Sequence, residues 1–472
     1  MNYSLLSTEM LMAALGIGLL VLTILSPREK GHQGIGYAAV FGMVAILVAT
    51  SFQYGINETT FREIWIVDDF AVFMKQLFLV SAIFVTLSSL DYVRSLPKYH
   101  GEFFVMIIFA TLGMMVMASA NDLITLFVGM ELMTVTFFVL VSFLLGNGRS
   151  SEAGIKYLIL GATSSAIMLY GMSLLYGLTG TTIIPELVDG LTWSPALAVA
   201  VIMILAGFGF KIAAIPFHMW SPDIYEGAPT PITAFLAVAS KAAGFAVMIR
   251  LFIQGVPVTT GVDWIVIIAG LAAITMIVGN VIAIPQTNIK RMLAYSSIAQ
   301  AGYLLVGMMA ADVAGIKSIL FYAMIYVFAN IGAFAVAIVV GKHLNSDKIS
   351  DYAGLGQRQP LLAIVMTVSL LSLAGIPPLA GFVGKLYLFA AIMDQGVLWP
   401  AFIGFVMSMI SVYYYLNVCL YMWRDDPKDD QPIHVSGAIK LTVVVSMVVT
   451  LVLGVYPQPL AEMANIAAKA LF

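Results

Sequence analysis

Three lysines, Lys211, Lys241 and Lys385, stand deep inside stretches that otherwise read as membrane-crossing helices. A glutamate, Glu131, occupies a similar place, and Lys156 sits nearer the edge of an apolar run. A charge at the centre of a bilayer costs about 2.5–3.5 kcal/mol on insertion scales, so several along one chain point to a path for protons or ions. The chemistry open to such groups is proton capture and release. A nearby carboxylate favours the charged form of an amine, and burial favours the neutral form. Moving a carboxylate toward a buried amine and away again would therefore load and unload a proton.

The elements that hold these residues follow from composition. The chain has 472 residues, 61% hydrophobic and 10% charged, with a mean hydropathy of +1.00, which marks a polytopic membrane protein. The single cysteine, Cys419, excludes an internal disulfide and a cysteine-ligated iron–sulfur cluster. Of His32, His100, His218, His343 and His434, only His218 approaches the interior of an apolar run, which argues against a bis-histidine haem in the bilayer. No G-x-x-x-x-G-K-[ST] run is present, so no P-loop binds ATP. The first ten residues, MNYSLLSTEM, carry no basic side chain, and the first apolar run is expected to be a retained helix. No metal or cofactor site is expected in this chain.

A spanning helix needs about 20 mostly apolar residues. The pattern predicts fourteen, at 4–25, 35–54, 70–90, 102–119, 122–145, 153–178, 194–219, 229–253, 262–284, 288–309, 313–341, 360–392, 396–423 and 435–456. The longest connection is 342–359, too short for a soluble domain, so the chain reads as a single membrane domain, 1–472. Alternate loops and helix ends collect Arg28, Lys30, Arg94, Lys98, Arg149, Lys290, Arg291, Lys342, Lys348, Arg358, Arg424 and Lys428, against Arg62, Arg250 and Lys469 on the other side. By the positive-inside rule the first set is cytoplasmic, and both termini lie outside. Lys75, Lys317 and Lys440 read mostly as snorkelling or locally paired.

Two of the predicted helices are interrupted by proline: 194–219 at Pro216, and 360–392 at Pro377 and Pro378. Proline lacks an N–H and clashes with the carbonyl four residues back, so each helix should open there. Open backbone is tolerated in a membrane where protein buries it or water lines it. The two broken helices run in opposite directions, five spans apart. This suggests inverted repeats, a transporter signature: residues 102–253 (helices 4–8) and 262–423 (helices 9–13).

The segments DLITLFVGMELM (122–133), KYLILGATSSAIMLYGMSLLYGLTG (156–180), GFKIAAIPFHMWSPDIYEGAPTPITAFLAVASKAAGF (209–245), NIKRMLAYSSIAQAGYLLVG (288–307) and LAGIPPLAGFVGKLYLF (373–389) carry a resemblance. Over about residues 65–425 the chain resembles the antiporter-like membrane subunits of respiratory complex I (NADH–quinone oxidoreductase), most closely the N type. The third segment is shared with multisubunit cation–proton antiporters and membrane-bound hydrogenases; the second and last are more specific. The resemblance implies an all-α fold of fourteen helices with two inverted five-helix repeats. It implies proton translocation driven by quinone reduction elsewhere in the complex, with no redox centre in this chain. NADH, FMN, iron–sulfur clusters and quinone would belong to other subunits. The implied partners are the other membrane subunits, further antiporter-like ones included, within a bacterial inner (plasma) membrane, and no nucleic acid.

The resemblance also implies roles for single residues. Glu131 and Lys211 would form the input switch, Lys241 the central relay and Lys385 the terminal carrier. The plainer reading of Glu131 is a carboxylate satisfied by neighbouring serines and threonines, and that of the lysines is snorkelling. Lys156 would modulate or feed the relay, or snorkel to the surface. His218 could connect the cytoplasm to the interior or cap the broken helix. Tyr295, Ser296, Ser297 and Gln300 offer hydrogen bonds for ordered water, or simply pack. Two other functions stay open: a subunit of a cation–proton antiporter or of a ferredoxin- or hydrogenase-linked relative, and an inert membrane scaffold. Sodium or potassium transport insensitive to quinone inhibitors would mark the antiporter.

Overall fold

The structure is a computed structural model that describes residues 2–26, 33–427 and 433–472. Arg28, Lys30 and Lys428, three of the basic residues assigned to the cytoplasmic side, lie outside these. The helices are α1 (Ser7–Leu25), α2 (Gln33–Ser51), α3 (Asp69–Val93), α4 (His100–Ser119), α5 (Leu123–Val141), α6 (Gly148–Thr179), the single turn α7 (Leu187–Gly190), α8 (Pro195–Ile212), α9 (Trp220–Gly227), α10 (Thr230–Phe235) and α11 (Lys241–Arg250). Further along the chain come α12 (Trp264–Ala283), α13 (Ile289–Met309), α14 (Val313–Leu344), the short α15 (Leu355–Arg358), α16 (Pro360–Ala374), α17 (Ala380–Asp394), α18 (Leu398–Arg424), α19 (Gly437–Val455) and α20 (Gln458–Lys469). Among the described residues, thirteen helical segments are long and apolar enough to cross a membrane, and they coincide with thirteen of the expected spans. The remaining one, 360–392, is the pair α16 and α17, too short singly.

Local signals set the ends. Asp68, Asp122, Asn147, Ser194, Asn288 and Asp312 each accept hydrogen bonds from first-turn N–H groups of the helix they precede. Such caps satisfy donors that have no intrahelical partner. The centre of the bundle is formed by α3, α10, α11, α13 and α14, whose residues are almost all buried, while α1, α6, α18 and α19 turn apolar side chains outward as a lipid-facing rim would. The C-terminal α20 packs its alanine face against α3 and α14.

Three departures from the sequence expectation have physical causes. First, α8 ends at Ile212, before Pro216, with Ala213 in the left-handed region (φ 58°). Proline also restricts the residue before it, so the chain leaves the helix a turn early. The freed Ile215 N–H donates to Thr275 Oγ1 at 3.0 Å. Second, the expected helix 229–253 is interrupted by π-helical turns at Leu236–Ser240 and Leu251–Gly255. A π turn carries an extra residue and re-aims the side chains beyond it; the first ends immediately before Lys241. Third, a small antiparallel hairpin, β1 (Glu58–Thr60) and β2 (Trp65–Val67), closes through three left-handed residues, Phe61–Glu63.

The second break occupies residues 375–379. Gly375 ends α16 at φ 86°, a conformation strained for any side chain with a Cβ. Gly381, in the first turn of the next helix, passes so close to Ser372 that a Cβ there would clash with its carbonyl oxygen. Each break contains a cis proline bond, Ile215–Pro216 and Pro377–Pro378.

Two buried ion pairs tie the N-terminal helices to the rest. Arg250 donates to both carboxylate oxygens of Asp68, at 2.9 and 3.0 Å, and to the Ala118 carbonyl at 3.1 Å. Lys75 meets Glu9 at 2.7 Å, and both are buried. Removing one partner of such a pair leaves the other buried and unneutralised, at a cost of about 3–5 kcal/mol. Asp68→Ala is therefore expected to lower stability by about that amount, read as an earlier unfolding midpoint in detergent. The double variant Asp68→Ala/Arg250→Met is expected to regain much of it; an unchanged midpoint for Asp68→Ala alone would contradict this account.

Candidate functional site

The three central lysines lie on three separate elements: Lys211 in the last turn of α8, Lys241 at the start of α11 and Lys385 in the first half of α17. Their exposures are 2%, 3% and 3%, so none snorkels to a surface within this chain. Lys211 Nζ donates to Thr134 Oγ1 at 2.7 Å. Lys241 Nζ donates to both the carbonyl and the hydroxyl of Ser297, each at 2.8 Å. Lys385 Nζ donates to the Leu373 carbonyl at 2.9 Å, the Ala374 carbonyl at 3.0 Å and Ser408 Oγ at 2.8 Å. Its ammonium also sits 4.4 Å from the centre of the Tyr303 ring, within cation–π range. Every one of these partners is neutral.

The acceptors around Lys385 come from the broken helix. In an α-helix the Leu373 and Ala374 carbonyls would accept from residues 377 and 378. Both of those are proline and have no N–H to give. The two orphaned carbonyls are taken instead by the lysine, by Ser408 and by Gln300.

Glu131 does not pair directly with Lys211. Half-buried on α5, it accepts a 2.6 Å hydrogen bond from Ser165 Oγ, while Lys211 is held by Thr134, one turn further along the same helix. Among the described residues the two form no ion pair. The expected carboxylate–amine contact is replaced here by hydroxyl groups, the plainer arrangement that serine and threonine neighbours allow. An aromatic stack flanks the end of α8: Tyr157 lies on Trp220 with ring centres 5.0 Å apart, and Trp220 Nε1 donates to the Phe210 carbonyl at 2.9 Å.

Lys156 is part of an ionic cluster rather than a lone snorkelling amine. It lies 2.7 Å from Glu152 and 2.8 Å from Asp223. Arg291 reaches Asp223 and Glu226, each at 2.9 Å, and Arg149 reaches Glu226 at 3.6 Å. The cluster borders a basin of about 1020 Å³ between helix ends, lined among others by Arg149, Glu226, Lys290, Arg291, Lys342 and Lys348. Glu152 was readable four residues before Lys156 on one helix face. Asp223 and Arg291 come from distant helices, with no local signal.

Lys75, Lys317 and Lys440 divide. Lys75 is wholly buried against Glu9, Lys317 lies 5.3 Å from the centre of the Tyr387 ring, and Lys440 is exposed. His218 lies in the unwound segment after α8, nearly buried, and no hydrogen bond joins it to a lysine among the described residues. Tyr295 is half-buried with no hydrogen bond to its hydroxyl among the described residues, whereas Ser296, Ser297 and Gln300 face the interior and are all bonded.

Lys241 lines a cavity of about 10 Å³ with Ser297, Gln300 and Tyr326, space for about one water. No group of three or more His, Cys, Asp or Glu side chains among the described residues could hold a metal ion. The arrangement is suited to moving protons among amines, hydroxyls and trapped water.

Comparison with known proteins identifies the family of the chain. The family model described as NADH:quinone oxidoreductase/Mrp antiporter, TM, matches residues 120–411. The chain is 71% identical to NADH-quinone oxidoreductase subunit N of Heliobacterium modesticaldum, over the full length of both. Among solved structures it is similar to a chain of respiratory complex I from Thermus thermophilus with bound aureothin, with a TM-score of 0.83 and 31% identity, covering 96% of this chain and 98% of that one. A chain of the Mrp complex from a Dietzia species has the same fold, with a TM-score of 0.87 at 20% identity, covering 100% and 98%. The chain belongs to the NADH-quinone oxidoreductase subunit N family, the antiporter-like membrane subunits of complex I.

Proposed function

We propose that this chain translocates protons across a bacterial plasma membrane as a subunit of an NADH-quinone oxidoreductase, with no redox chemistry of its own. Glu131, Lys211, Lys241 and Lys385 form the relay, and quinone reduction in other subunits drives it. The basic-rich face, with the Lys156–Asp223 cluster, is the cytoplasmic one, and both termini lie outside. The repeat units are residues 102–253 and 262–423, each contributing one broken helix. Lys156 and its acidic partners collect protons from the basin; His218 and Tyr295 are secondary candidates.

One observation carries this reading. Among the described residues the buried lysines and arginine fall into two kinds. Lys75, Arg250 and Lys290 meet carboxylates. Lys211, Lys241 and Lys385 have neutral hydrogen-bond partners only. A clamped ammonium stays charged, whereas a buried amine with neutral partners can exist with or without its proton, and small displacements of charge decide which. The first kind suits structure and the second transport.

The magnitudes are compatible. Moving one proton against about 200 mV requires about 4.6 kcal/mol. Each carrier's proton affinity must therefore swing by roughly three powers of ten within a cycle. Burial and a moving carboxylate together supply changes of that order. The separation of Glu131 from Lys211, with a serine and a threonine holding the two, corresponds to one position of the switch. The family model covers oxidoreductase and Mrp antiporter subunits alike and the Mrp structure shares the fold at 20% identity, while the near relatives are oxidoreductase subunits, which favours redox-driven pumping over secondary antiport.

Two measurements test the proposal on the complex reconstituted in vesicles. Lys241→Ala is expected to lower coupled quinone reduction and proton uptake by roughly tenfold or more. Lys241→Arg should be nearly as damaging, because arginine does not release its proton in this range. Normal pumping by both would remove Lys241 from the relay. Glu131→Gln is expected to slow coupled turnover by at least about fivefold, the lower end of a coupling between sites. A Glu131→Gln complex with unchanged turnover would leave that carboxylate a structural group.

A further inference from the structure

Between Lys241 and Lys385 one side chain touches both environments. Gln300, on α13, is 1% exposed. It lines the small cavity beside Lys241 and Ser297, one helical turn along from Ser297. On its other side Gln300 Nε2 donates to the Leu373 carbonyl at 3.0 Å, the same oxygen that accepts from Lys385 Nζ at 2.9 Å. We propose that Gln300 is the positioning residue that joins the central and terminal lysines of the relay, by lining the cavity of Lys241 while sharing the orphaned Leu373 carbonyl with Lys385. This deepens the proposed function and rests on it.

The amide has little rotational freedom. Its oxygen accepts a short hydrogen bond from the Tyr322 hydroxyl. Its nitrogen has a second, longer contact of 3.4 Å to the Tyr415 hydroxyl, which itself bonds Ser296. The Tyr322 ring lies against Gly384, the residue before Lys385, where any Cβ would fall 2.4 Å from the ring. Acceptor and donor ends of the amide are therefore both assigned by fixed neighbours. That orientation places an N–H on the Leu373 carbonyl.

A carboxamide suits this place chemically. It donates and accepts but does not titrate near neutral pH, so it stores no proton between the two amines. Without it, the Leu373 carbonyl would be left to Lys385 alone and the two hydroxyls beside it would lose a partner. A buried acceptor or donor without a partner is costly and finds a new arrangement. The expected result is a displaced Lys385 ammonium and a broken path from the Lys241 cavity.

The test uses the assembled, reconstituted oxidoreductase with four variants: Gln300→Leu, Gln300→Glu, Tyr322→Phe and Lys385→Ala. Activity is normalised to the amount of assembled complex. Gln300→Leu is expected to lower protons pumped per electron and coupled turnover by at least about fivefold. Gln300→Glu, which keeps shape and acceptors, should restore at least about half of the ratio at low pH, where it is protonated, and lose it as pH rises and its carboxyl ionises. A residue that only packs would give no such pH-dependent split. Tyr322→Phe keeps the packing and frees the amide, and should lower the ratio in the same direction. If Gln300→Leu fails to assemble, Tyr322→Phe and the pH profile of Gln300→Glu decide. A normal ratio in Gln300→Leu or, failing assembly, in Tyr322→Phe, with Lys385→Ala impaired, overturns this inference alone; a normal ratio in Lys385→Ala overturns the proposed function beneath it.

Discussion

An amine buried with no carboxylate in contact is costly to charge in the protein interior, and most of what is distinctive in this fold follows from accommodating three of them. The ordinary solution is a carboxylate, used here for Lys75 with Glu9 and for Arg250 with Asp68. For Lys211, Lys241 and Lys385 the fold supplies hydroxyls and main-chain carbonyls instead. Free carbonyls are scarce in a helical membrane protein, because helices consume their own. Breaking a helix is one way to obtain them. The tandem prolines at 377 and 378 release two carbonyls side by side, and both face the terminal lysine.

The same constraint explains why the two ends of the lysine series look different. Around Lys385 the hydrogen bonds form a continuous set through the Leu373 carbonyl, Gln300, Tyr322, Tyr415 and Ser408, and Lys241, bonded to Ser297, meets that set at Gln300 across the small cavity. Between Lys211 and Lys241 no hydrogen-bonded path is formed among the described residues; Gly244 of α11 brings the backbone up to the Lys211 side chain instead. The ionic cluster of Lys156, Asp223, Glu226 and Arg291 stands apart, next to an open basin. Charge is thus paired and partly exposed at the basic face, and the three central lysines are enclosed and hydrogen-bonded to neutral groups.

What the sequence disclosed and what it withheld divide along the range of the interactions. Spans are local: twenty apolar residues and a cap suffice, and thirteen of them came out as expected, with the fourteenth split at its prolines. The depth of Lys211, Lys241 and Lys385 was legible for the same reason, since flanking apolar residues set it. The broken helices were legible as to place but not extent, because Ala213 leaves the helix before Pro216 does. The partners were not legible. Thr134, Ser165, Asp223 and Ser408 come from other helices, and Glu9 meets Lys75 across 66 residues of sequence. The π turns on either side of the Lys241–Arg250 helix leave no clear trace, since LAVAS and LFIQG read as ordinary helix. The Phe61–Glu63 turn is equally silent, because it contains no glycine or asparagine.

The acceptors of the terminal lysine have one property that side-chain ligands lack. They are main-chain atoms, so replacing Leu373 or Ala374 with any other residue leaves an oxygen in the same place. Hereditary control over them lies downstream, in two imino acids that never touch the ammonium group. Drift at the acceptor positions is therefore harmless to the electrostatics of Lys385, while a change at 377 or 378 that brings in an amide proton would reclaim the oxygens for the helix.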